Sequence, residues 1–304
     1  MSAPPRIVSL LPSATEMVYA LGLGERLVAV SHECDFPAAA RALPKVVKNR
    51  FPTERMSGAE IDRKVREAMK AGESIYTLDL DALKAAKPDI ILTQQLCDVC
   101  AVTGTDLQKA LGALGISPTI VEQTPKDIAG IFEDMKALGD LLGTRHRTDR
   151  AVDEAFDRLV EVGRKVHGRP RIKVYAMEWL DPPYAAGHWV PEQAEFAGII
   201  EALGRRGEKS RRVEWTDVQA ADPDCIVLMP CGYDAAKAAQ AVAEIKDRDE
   251  WKSLRAVREN RVWSVDANAY FSRPGPRVVD GAELLAHIFH AVEWKGPRDA
   301  YRKL

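Results

Sequence analysis

The feature that most constrains this chain is an alternation of short apolar runs, rich in β-branched residues, with longer stretches of helical periodicity. The runs are Ile7–Leu11, Leu27–Val30, Ile90–Thr93, Ile172–Tyr175, Cys225–Met229 and Val262–Val265. Continuous apolar runs of this length are typical of strands buried on both faces, and intervening helices favour parallel pairing. The sequence therefore predicts an α/β fold with parallel sheets.

A weak internal repeat divides the chain. Residues Ala86–Leu92 resemble Ala221–Val227, because in each a helical pattern stops before Pro-Asp and a buried strand follows. Between the two copies, apolar residues recur at helical spacing over residues 124–168, with Thr124 as a candidate cap and a bend at Gly143. We therefore predict an N-terminal α/β lobe over residues 1–123 and a C-terminal α/β lobe over residues 169–304.

Charge and hydropathy argue against several classes of protein. The chain has 43 Lys and Arg against 45 Asp and Glu, so neither nucleic acid nor an anionic membrane surface is an expected partner. It also lacks an apolar stretch of about 20 residues, so no membrane insertion is expected. The sequence as written has no secretory signal and five cysteines, which favours a cytoplasmic protein. The alternative is a periplasmic or extracellular protein whose export signal has been removed.

Aromatic, thiol and polar residues cluster just after the predicted strands. In open parallel sheets, ligands bind beyond the carboxyl ends of the strands. The segments concerned are residues 31–37, 94–100, 178–189, 230–233 and 266–274. Aromatic surfaces with a few polar groups suit a large, flat, partly apolar ligand. The sequence therefore predicts a small-molecule site built from these segments.

The thiols allow more than one interpretation. Cys97 and Cys100 have the spacing of a metal clip or a redox pair, and His32 and Cys34 follow another predicted strand with the soft atoms that would complete a metal site. The same thiols can instead be small buried apolar residues. No phosphate-binding glycine motif and no acid–base pair is present, so we expect a binding protein and keep thiol-dependent redox or corrinoid chemistry as an alternative.

Several motifs together resemble the substrate-binding proteins of cobalamin and iron–siderophore ABC importers, and the cobalamin binders most of all. The matching segments are Pro12–Glu16, Asp35–Pro37, Leu83–Ile90, Asp181–Tyr184 and Asn268–Arg277. Their order and spacing cover the chain from Arg6 to about Val292. The resemblance implies two Rossmann-like lobes with parallel sheets, one long backbone helix joining them, and a ligand cleft between the lobes.

The resemblance also implies a ligand and the residues that contact it. The ligand would be cobalamin or another corrinoid, with a contact from His32 or a nearby thiol to cobalt; an iron chelate, haem or a bare metal ion is the alternative. The expected contacts are Pro12, Ser13, Ala14, Thr15, His32, Glu33, Cys34, Asp35, Gln94, Gln95, Trp179, Tyr184, His188, Trp189, Tyr233, Tyr270, Phe271 and Arg273.

The same family suggests a partner. Its members carry a carboxylate at corresponding helix starts of both lobes, which docks to the ABC permease. Asp81 fits the first position, whereas Thr216 occupies the second with Asp217 next to it. The partner is therefore an ABC permease or, alternatively, a corrinoid-using protein inside the cell. Residues 48–74 look like an added helical insert.

Overall fold

The computed structural model describes residues 3–53, 56–94 and 104–304, and the chain divides into two compact units. The first unit comprises Met1–Met56, Arg63–Pro125 and Phe132–Ala151. The second comprises Ser57–Asp62, Lys126–Ile131 and Val152–Leu304. Each unit has its own sheet and its own apolar core.

The described part of the first unit has a six-stranded sheet whose neighbouring strands are parallel except for one antiparallel edge pair. Its strands are β1 (Ile7–Ser9), β2 (Leu27–Ser31), β3 (Lys45–Asn49), β4 (Tyr76–Leu78), β5 (Ile90–Gln94) and β6 (Thr119–Gln123). The order is β4-β3-β2-β1-β5-β6, with β3 and β4 antiparallel. Val8, Ala29, Val46 and Ile91 place apolar side chains from four neighbouring strands in one core.

Helices separate these strands, as the sequence predicts. Those that begin before residue 150 are α1 (Pro12–Ala20), α2 (Gly58–Ala71), α3 (Leu80–Ala86), α4 (Gly104–Leu114), α5 (Ile128–Leu141) and α6 (Arg145–Val166), with short 3₁₀ turns at Gly24–Arg26 and Ala38–Ala42. The helix predicted inside residues 48–74 is α2. It begins with a capping box in which Ser57 and Glu60 exchange hydrogen bonds.

The second unit repeats the parallel core and adds antiparallel strands at its edges. Its described strands are β7 (Ile172–Trp179), β8 (Tyr184–Ala185), β9 (Ile199–Glu201), β10 (Arg211–Arg212), β11 (Cys225–Leu228), β12 (Val262–Val265) and β13 (Tyr301–Lys303). The order is β10-β8-β7-β11-β12-β13, with β9 parallel to the first half of β7. Strands β7, β11 and β12 are parallel, whereas β8, β10 and β13 pair antiparallel.

The helices of the second unit are mostly short. They are α7 (Val190–Phe196), α8 (Trp215–Ala221), α9 (Ala235–Ala241), α10 (Asp249–Ser253), α11 (Arg255–Arg258), α12 (Ala267–Tyr270) and α13 (Val278–His290), with 3₁₀ turns at Val242–Glu244 and Arg298–Ala300. Both units are therefore α/β structures built around parallel strands, which confirms the predicted fold class.

The internal repeat extends to the hydrogen bonds. Helices α3 and α8 each end at a non-glycine residue in the left-handed region, Lys87 with φ 45° and Asp222 with φ 39°. The aspartate of each Pro-Asp pair then binds the strand beside it: Asp89 accepts from the Arg6 amide at 2.7 Å, and Asp224 accepts from the Lys173 amide at 3.0 Å. The same chain geometry thus starts β5 in one unit and β11 in the other.

Two sequence expectations about helices need correction. The spacing of Ser13 and Glu16 predicts a capping box, but Ser13 does not cap α1, because the helix begins at Pro12 with Leu11 as its cap residue, and this places Ser13 inside the first turn. The stretch over residues 124–168 contains two helices, α5 and α6, instead of one long helix, since Gly143 between them has φ +73°. Asp127, not Thr124, caps α5 by accepting a hydrogen bond from the Gly130 amide at 2.8 Å. Across the described ranges, no helix combines the length and apolarity needed to cross a membrane.

Candidate functional site

The first set of candidate residues lies along one edge of the sheet in the first unit. Strands β2, β1 and β5 are neighbours and run parallel, so their carboxyl ends meet at the same edge. Residues Pro12–Thr15 follow β1, His32–Asp35 follow β2, and Gln94 ends β5. The structure therefore brings these sequence-predicted residues to one place.

Cys34 is a packing residue in this set. Its side chain is 1 % exposed, and its Sγ lies 3.2 Å from Thr15 Oγ1. Thr15 is also fully buried, so this pair fixes the loop after β2 against the start of α1. Because the side chain is buried, solvent does not reach its sulfur in this arrangement.

His32 is arranged differently. Its Nδ1 lies 3.0 Å from the carbonyl oxygen of Val47, and this geometry assigns the ring proton to Nδ1. In the neutral ring, Nε2 then has the lone pair, and this atom is buried with no hydrogen-bond partner among the described residues. A neutral imidazole held by its other nitrogen is the form in which histidine binds a metal.

Tyr76 supports His32 and was not among the predicted site residues. Its ring centroid lies 5.9 Å from that of His32, and its hydroxyl donates to Glu33 Oε1 at 3.3 Å. Tyr76 begins β4, an edge strand of three residues, which is too short for a clear pattern of alternation. The sequence therefore offered no signal that Tyr76 would reach this loop.

The second set of candidates lies in the second unit, after β7 and β11. The rings of Trp179 and Tyr233 meet edge to face with centroids 5.6 Å apart. They line a small recess that is partly open to solvent. The remaining lining residues are Gly58, Leu180, Pro230, Ala241 and Glu244.

Residues 57–62, at the start of α2, contact this second set directly. The Trp179 indole donates from Nε1 to the Gly58 carbonyl oxygen at 3.2 Å, and the Tyr184 hydroxyl donates to Asp62 Oδ1 at 3.3 Å. The Gly58 amide donates to Glu244 Oε2 at 2.9 Å. Gly58, Asp62 and Glu244 were not among the predicted site residues. The Ser57–Glu60 spacing signals a helix start there, but nothing local signals contacts more than a hundred residues away.

Several other predicted residues of this unit are buried and support its loops. The Trp189 indole donates from Nε1 to the Phe271 carbonyl oxygen at 2.9 Å, and Gln193 donates to the Tyr270 carbonyl oxygen at 2.9 Å. Arg273 is 6 % exposed and donates from Nη2 to Asn268 Oδ1 at 2.9 Å. These contacts fasten the loop after β12 to the start of α7.

His188 is half-buried beside Trp189. It has φ +54°, and its ring centroid lies 5.5 Å from that of Trp189. Burial, with a smaller contribution from the charge of Lys209, lowers the pKa of His188. The imidazole is therefore neutral at physiological pH.

Only His32 and Cys34 of the predicted metal cluster lie among the described residues. Cys97 and Cys100, together with the expected contact Gln95, lie outside the described residues. Within the described ranges, no group of three or more His, Cys, Asp or Glu side chains is arranged to hold a metal ion. A metal site that joins His32 and Cys34 to the other two thiols remains a prediction.

The two candidate docking carboxylates have different surroundings. Asp81 is exposed in the first turn of α3, where Asp79 provides the cap by accepting from the Ala82 amide. Asp217 is itself part of a capping box at the start of α8, because its carboxylate accepts from the Glu214 amide at 3.0 Å. Asp217 therefore has a structural role whether or not it docks to a partner.

Comparison with known proteins gives a consistent result. A family model described as periplasmic binding protein matches residues 7–269. An uncharacterized ABC transporter substrate-binding lipoprotein of Bacillus subtilis, YvrC, is 24% identical over 297 residues, which are 96% of this chain and 82% of the relative. The vitamin B12-binding protein of Vibrio cholerae is 23% identical over 284 residues, 92% of this chain and 87% of the relative.

A solved structure shows the same fold. The periplasmic heme binding protein from Pseudomonas aeruginosa superimposes with a TM-score of 0.73 at 20% identity, covering 98% of this chain and 97% of that chain. At this identity the likeness establishes the fold, and the ligand has to be argued from the site.

Proposed function

Because the chain belongs to the periplasmic binding protein family, a family of binding proteins and not of enzymes, we propose that it binds cobalamin or a related corrinoid as the substrate-binding protein of an ABC importer. The observation that carries this proposal is His32, whose ring is held through Nδ1 while Nε2 has no hydrogen-bond partner among the described residues. Such an imidazole suits the axial position of a macrocycle-bound metal.

The other ligand contacts are proposed because these residues are partly exposed. Pro12, His32, Glu33 and Asp35 are partly exposed at the carboxyl edge of the first sheet, and Trp179, Tyr184 and His188 are partly exposed in the second unit. We propose these residues as direct ligand contacts. The buried members of each set, such as Thr15, Cys34, Trp189 and Phe271, hold the loops in place. Aromatic rings with few charges suit a corrin, whose rim carries amide groups.

Haem is the second candidate, since a histidine nitrogen without a hydrogen-bond partner among the described residues also suits haem iron and a structural relative is a heme binding protein. Haem adds two propionates, which basic side chains usually bind. The arginine expected at this site, Arg273, is instead buried and donates to Asn268. This contact favours the corrinoid over haem.

The proposed partner is an ABC permease, and we infer that the protein works outside the cytoplasmic membrane, in the periplasm or anchored at the cell surface. The names of the relatives, a periplasmic binding protein and a lipoprotein, support this inference. Asp81 remains the better docking candidate, because Asp217 is engaged as a helix cap. A corrinoid-using protein inside the cell is the alternative partner.

The test is a titration of the purified protein with hydroxocobalamin, cobinamide and hemin, followed by absorbance and calorimetry. We expect one-to-one binding of a corrinoid with a shifted absorption spectrum, and loss of that shift in His32→Ala. His167→Ala, at an exposed position on the protein surface, is the matched control and should behave as the unsubstituted protein. If the protein binds hemin and neither corrinoid, its ligand is haem. If it binds none of the three, the proposal is refuted.

A further inference from the structure

Residues distant in the sequence form hydrogen bonds with the start of α2. Residues 57–62, called the cover segment below, begin the helix with the Ser57–Glu60 capping box. The carboxylate of Glu244 adds a second acceptor at this helix start, since its two oxygens lie 2.9 and 3.2 Å from the Gly58 amide nitrogen. A negative charge at a helix N-terminus is favourable, because the first amides have no partner within the helix.

The cover segment engages the polar atoms of the aromatic residues proposed as ligand contacts. Trp179 donates its indole N–H to Gly58, and Tyr184 donates its hydroxyl to Asp62. Tyr233 packs against Trp179 in the recess that Gly58 and Glu244 also line. A ligand that accepts a hydrogen bond from the Trp179 indole or the Tyr184 hydroxyl must therefore displace the cover segment from that group.

The Glu244 carboxylate and the Trp179 indole pack closely against Gly58. A Cβ added at Gly58 would lie 2.9 Å from Glu244 Oε2 and 3.5 Å from Trp179 Nε1. Gly58 is buried although it begins a surface helix. A side chain at this position would therefore require the Glu244 carboxylate to move.

We propose that the cover segment closes over Trp179, Tyr184 and Tyr233, that Glu244 holds it shut, and that the ligand gains the Trp179 indole N–H and the Tyr184 hydroxyl only when the segment opens. The proposal rests on the proposed function, because it takes Trp179 and Tyr184 as ligand contacts. Glu244 is the position to test, since it lies at the exposed end of the short turn Val242–Glu244 and its side chain accepts a hydrogen bond from the segment.

The first experiment measures opening without ligand. Glu244→Ala removes the acceptor, Glu244→Gln keeps an oxygen acceptor without the charge, and Asp247→Ala is the matched control, since Asp247 is 85% exposed nearby. We expect hydrogen exchange of the amides at 57–62 to be roughly threefold to tenfold faster in Glu244→Ala, the range expected for loss of a carboxylate at a helix N-terminus. Glu244→Gln should show a smaller change and Asp247→Ala none.

A second readout follows the indole itself. Acrylamide quenching of tryptophan fluorescence is measured with and without Trp179→Phe, so that the contribution of Trp179 is obtained by difference. That contribution should rise in Glu244→Ala. If neither amide exchange nor Trp179 quenching changes, Glu244 does not hold the segment and the proposal is wrong, whatever the ligand proves to be.

The last measurement connects opening to binding. Stopped-flow association of hydroxocobalamin should be faster for Glu244→Ala than for the unsubstituted protein by the factor found for amide exchange. Faster opening with an unchanged association rate would overturn the role of the segment as a cover. Failure of the unsubstituted protein to bind any corrinoid or hemin would instead refute the proposed function, and the exchange and quenching results would still decide whether Glu244 closes the segment.

Discussion

At the scale of single residues, burial decides which candidate side chains can take part in chemistry. Cys34 is 1 % exposed, and burial raises the pKa of the Cys225 thiol to about 11. Cys225 is therefore an inert packing residue, Cys34 is buried against Thr15, and Cys231 is exposed. His32 differs from Cys34 although only Glu33 separates them, because one of its ring nitrogens lies against the Val47 carbonyl and the other is buried with no hydrogen-bond partner among the described residues.

Asp134 provides a pH-dependent test at this scale. Burial, and to a smaller extent the charge of Glu133, raises the pKa of Asp134 from 3.8 to about 6. The folded state therefore holds this proton more tightly than the unfolded state, so the stability gained from protonation is complete below pH 4 and is lost as the pH rises to about 6. Asp134→Asn stays neutral throughout. At pH 7.5 it should be more stable than the unsubstituted protein by about 1 kcal/mol, after allowance for partial exposure.

The measurement is the free energy of unfolding in urea between pH 4 and pH 8. The difference between Asp134→Asn and the unsubstituted protein should vanish near pH 4 and grow toward neutrality. Asp153→Asn, at an exposed position in α6, should give a difference that does not change with pH. A constant difference for Asp134→Asn would show that ionisation of Asp134 does not cost stability.

At the scale of elements, the two Pro-Asp junctions offer a matched pair of substitutions. Lys87 and Asp222 both have positive φ, a conformation that costs a non-glycine residue roughly 1 kcal/mol. Lys87→Gly should therefore raise the free energy of unfolding by about 1 kcal/mol. Asp222→Gly should gain less, because Asp222 pairs with Arg255 at 3.2 Å and glycine loses that contact.

Thermal denaturation of the two variants checks this expectation. Lys87→Ala is the control, since alanine removes the lysine side chain and keeps the strained conformation; it should not be stabilised. Equal gains at both positions would mean that the ion pair of Asp222 contributes nothing measurable.

The starts of α3 and α8 give a second prediction at this scale. It distinguishes a carboxylate that caps a helix from one that is a docking candidate only. Asp217→Ala removes half of the capping box of α8 and should cost about 1 kcal/mol of stability. Asp81→Ala should change stability by less than about 0.5 kcal/mol, because Asp79 provides the cap of α3. Urea unfolding measures both. A large loss of stability in Asp81→Ala would contradict this assignment and would weaken Asp81 as a purely functional carboxylate.

Elements also show why sequence analysis succeeded in some places and failed in others. Strands β11 and β12 were predicted almost to the residue, because a run buried on both faces is apolar throughout. Strands β8 and β10 were missed, since each has two residues and lies toward the sheet edge. The spacing of Ser13 and Glu16 is that of a capping box, but Pro12 already begins the helix.

The sequence likewise predicts some residues of the candidate site and not others. The position of His32 follows from where its strand ends, and a strand end is a local property of the sequence. Trp179 instead ends β7, which runs four residues beyond the predicted strand Ile172–Tyr175. The contact between Gly58 and Glu244 joins residues 186 positions apart, and it depends on tertiary packing that no local pattern encodes. Residues that begin or end buried elements could therefore be predicted, and their distant partners could not.

At the scale of the whole molecule, positive and negative charges are nearly balanced. The net charge therefore provides little long-range attraction for a ligand. The formal net charge is −2, from 43 basic and 45 acidic residues. Long-range attraction accelerates association only when a substantial charge acts across the solvent, and salt screens it within about 10 Å at 0.1 M. A corrinoid offers at most a small charge in return, so contacts and the opening of the cover segment should set the association rate.

The association rate constant of hydroxocobalamin should therefore change by less than about twofold between 0.05 M and 0.5 M sodium chloride. Stopped-flow absorbance measures it, and cobinamide under the same conditions tests whether the result depends on the lower axial base. Glu33→Gln and Asp35→Asn are the informative variants, because these carboxylates are partly exposed beside His32. A fall of tenfold or more with salt would show that local negative charge steers the ligand, and these two substitutions should then abolish the dependence.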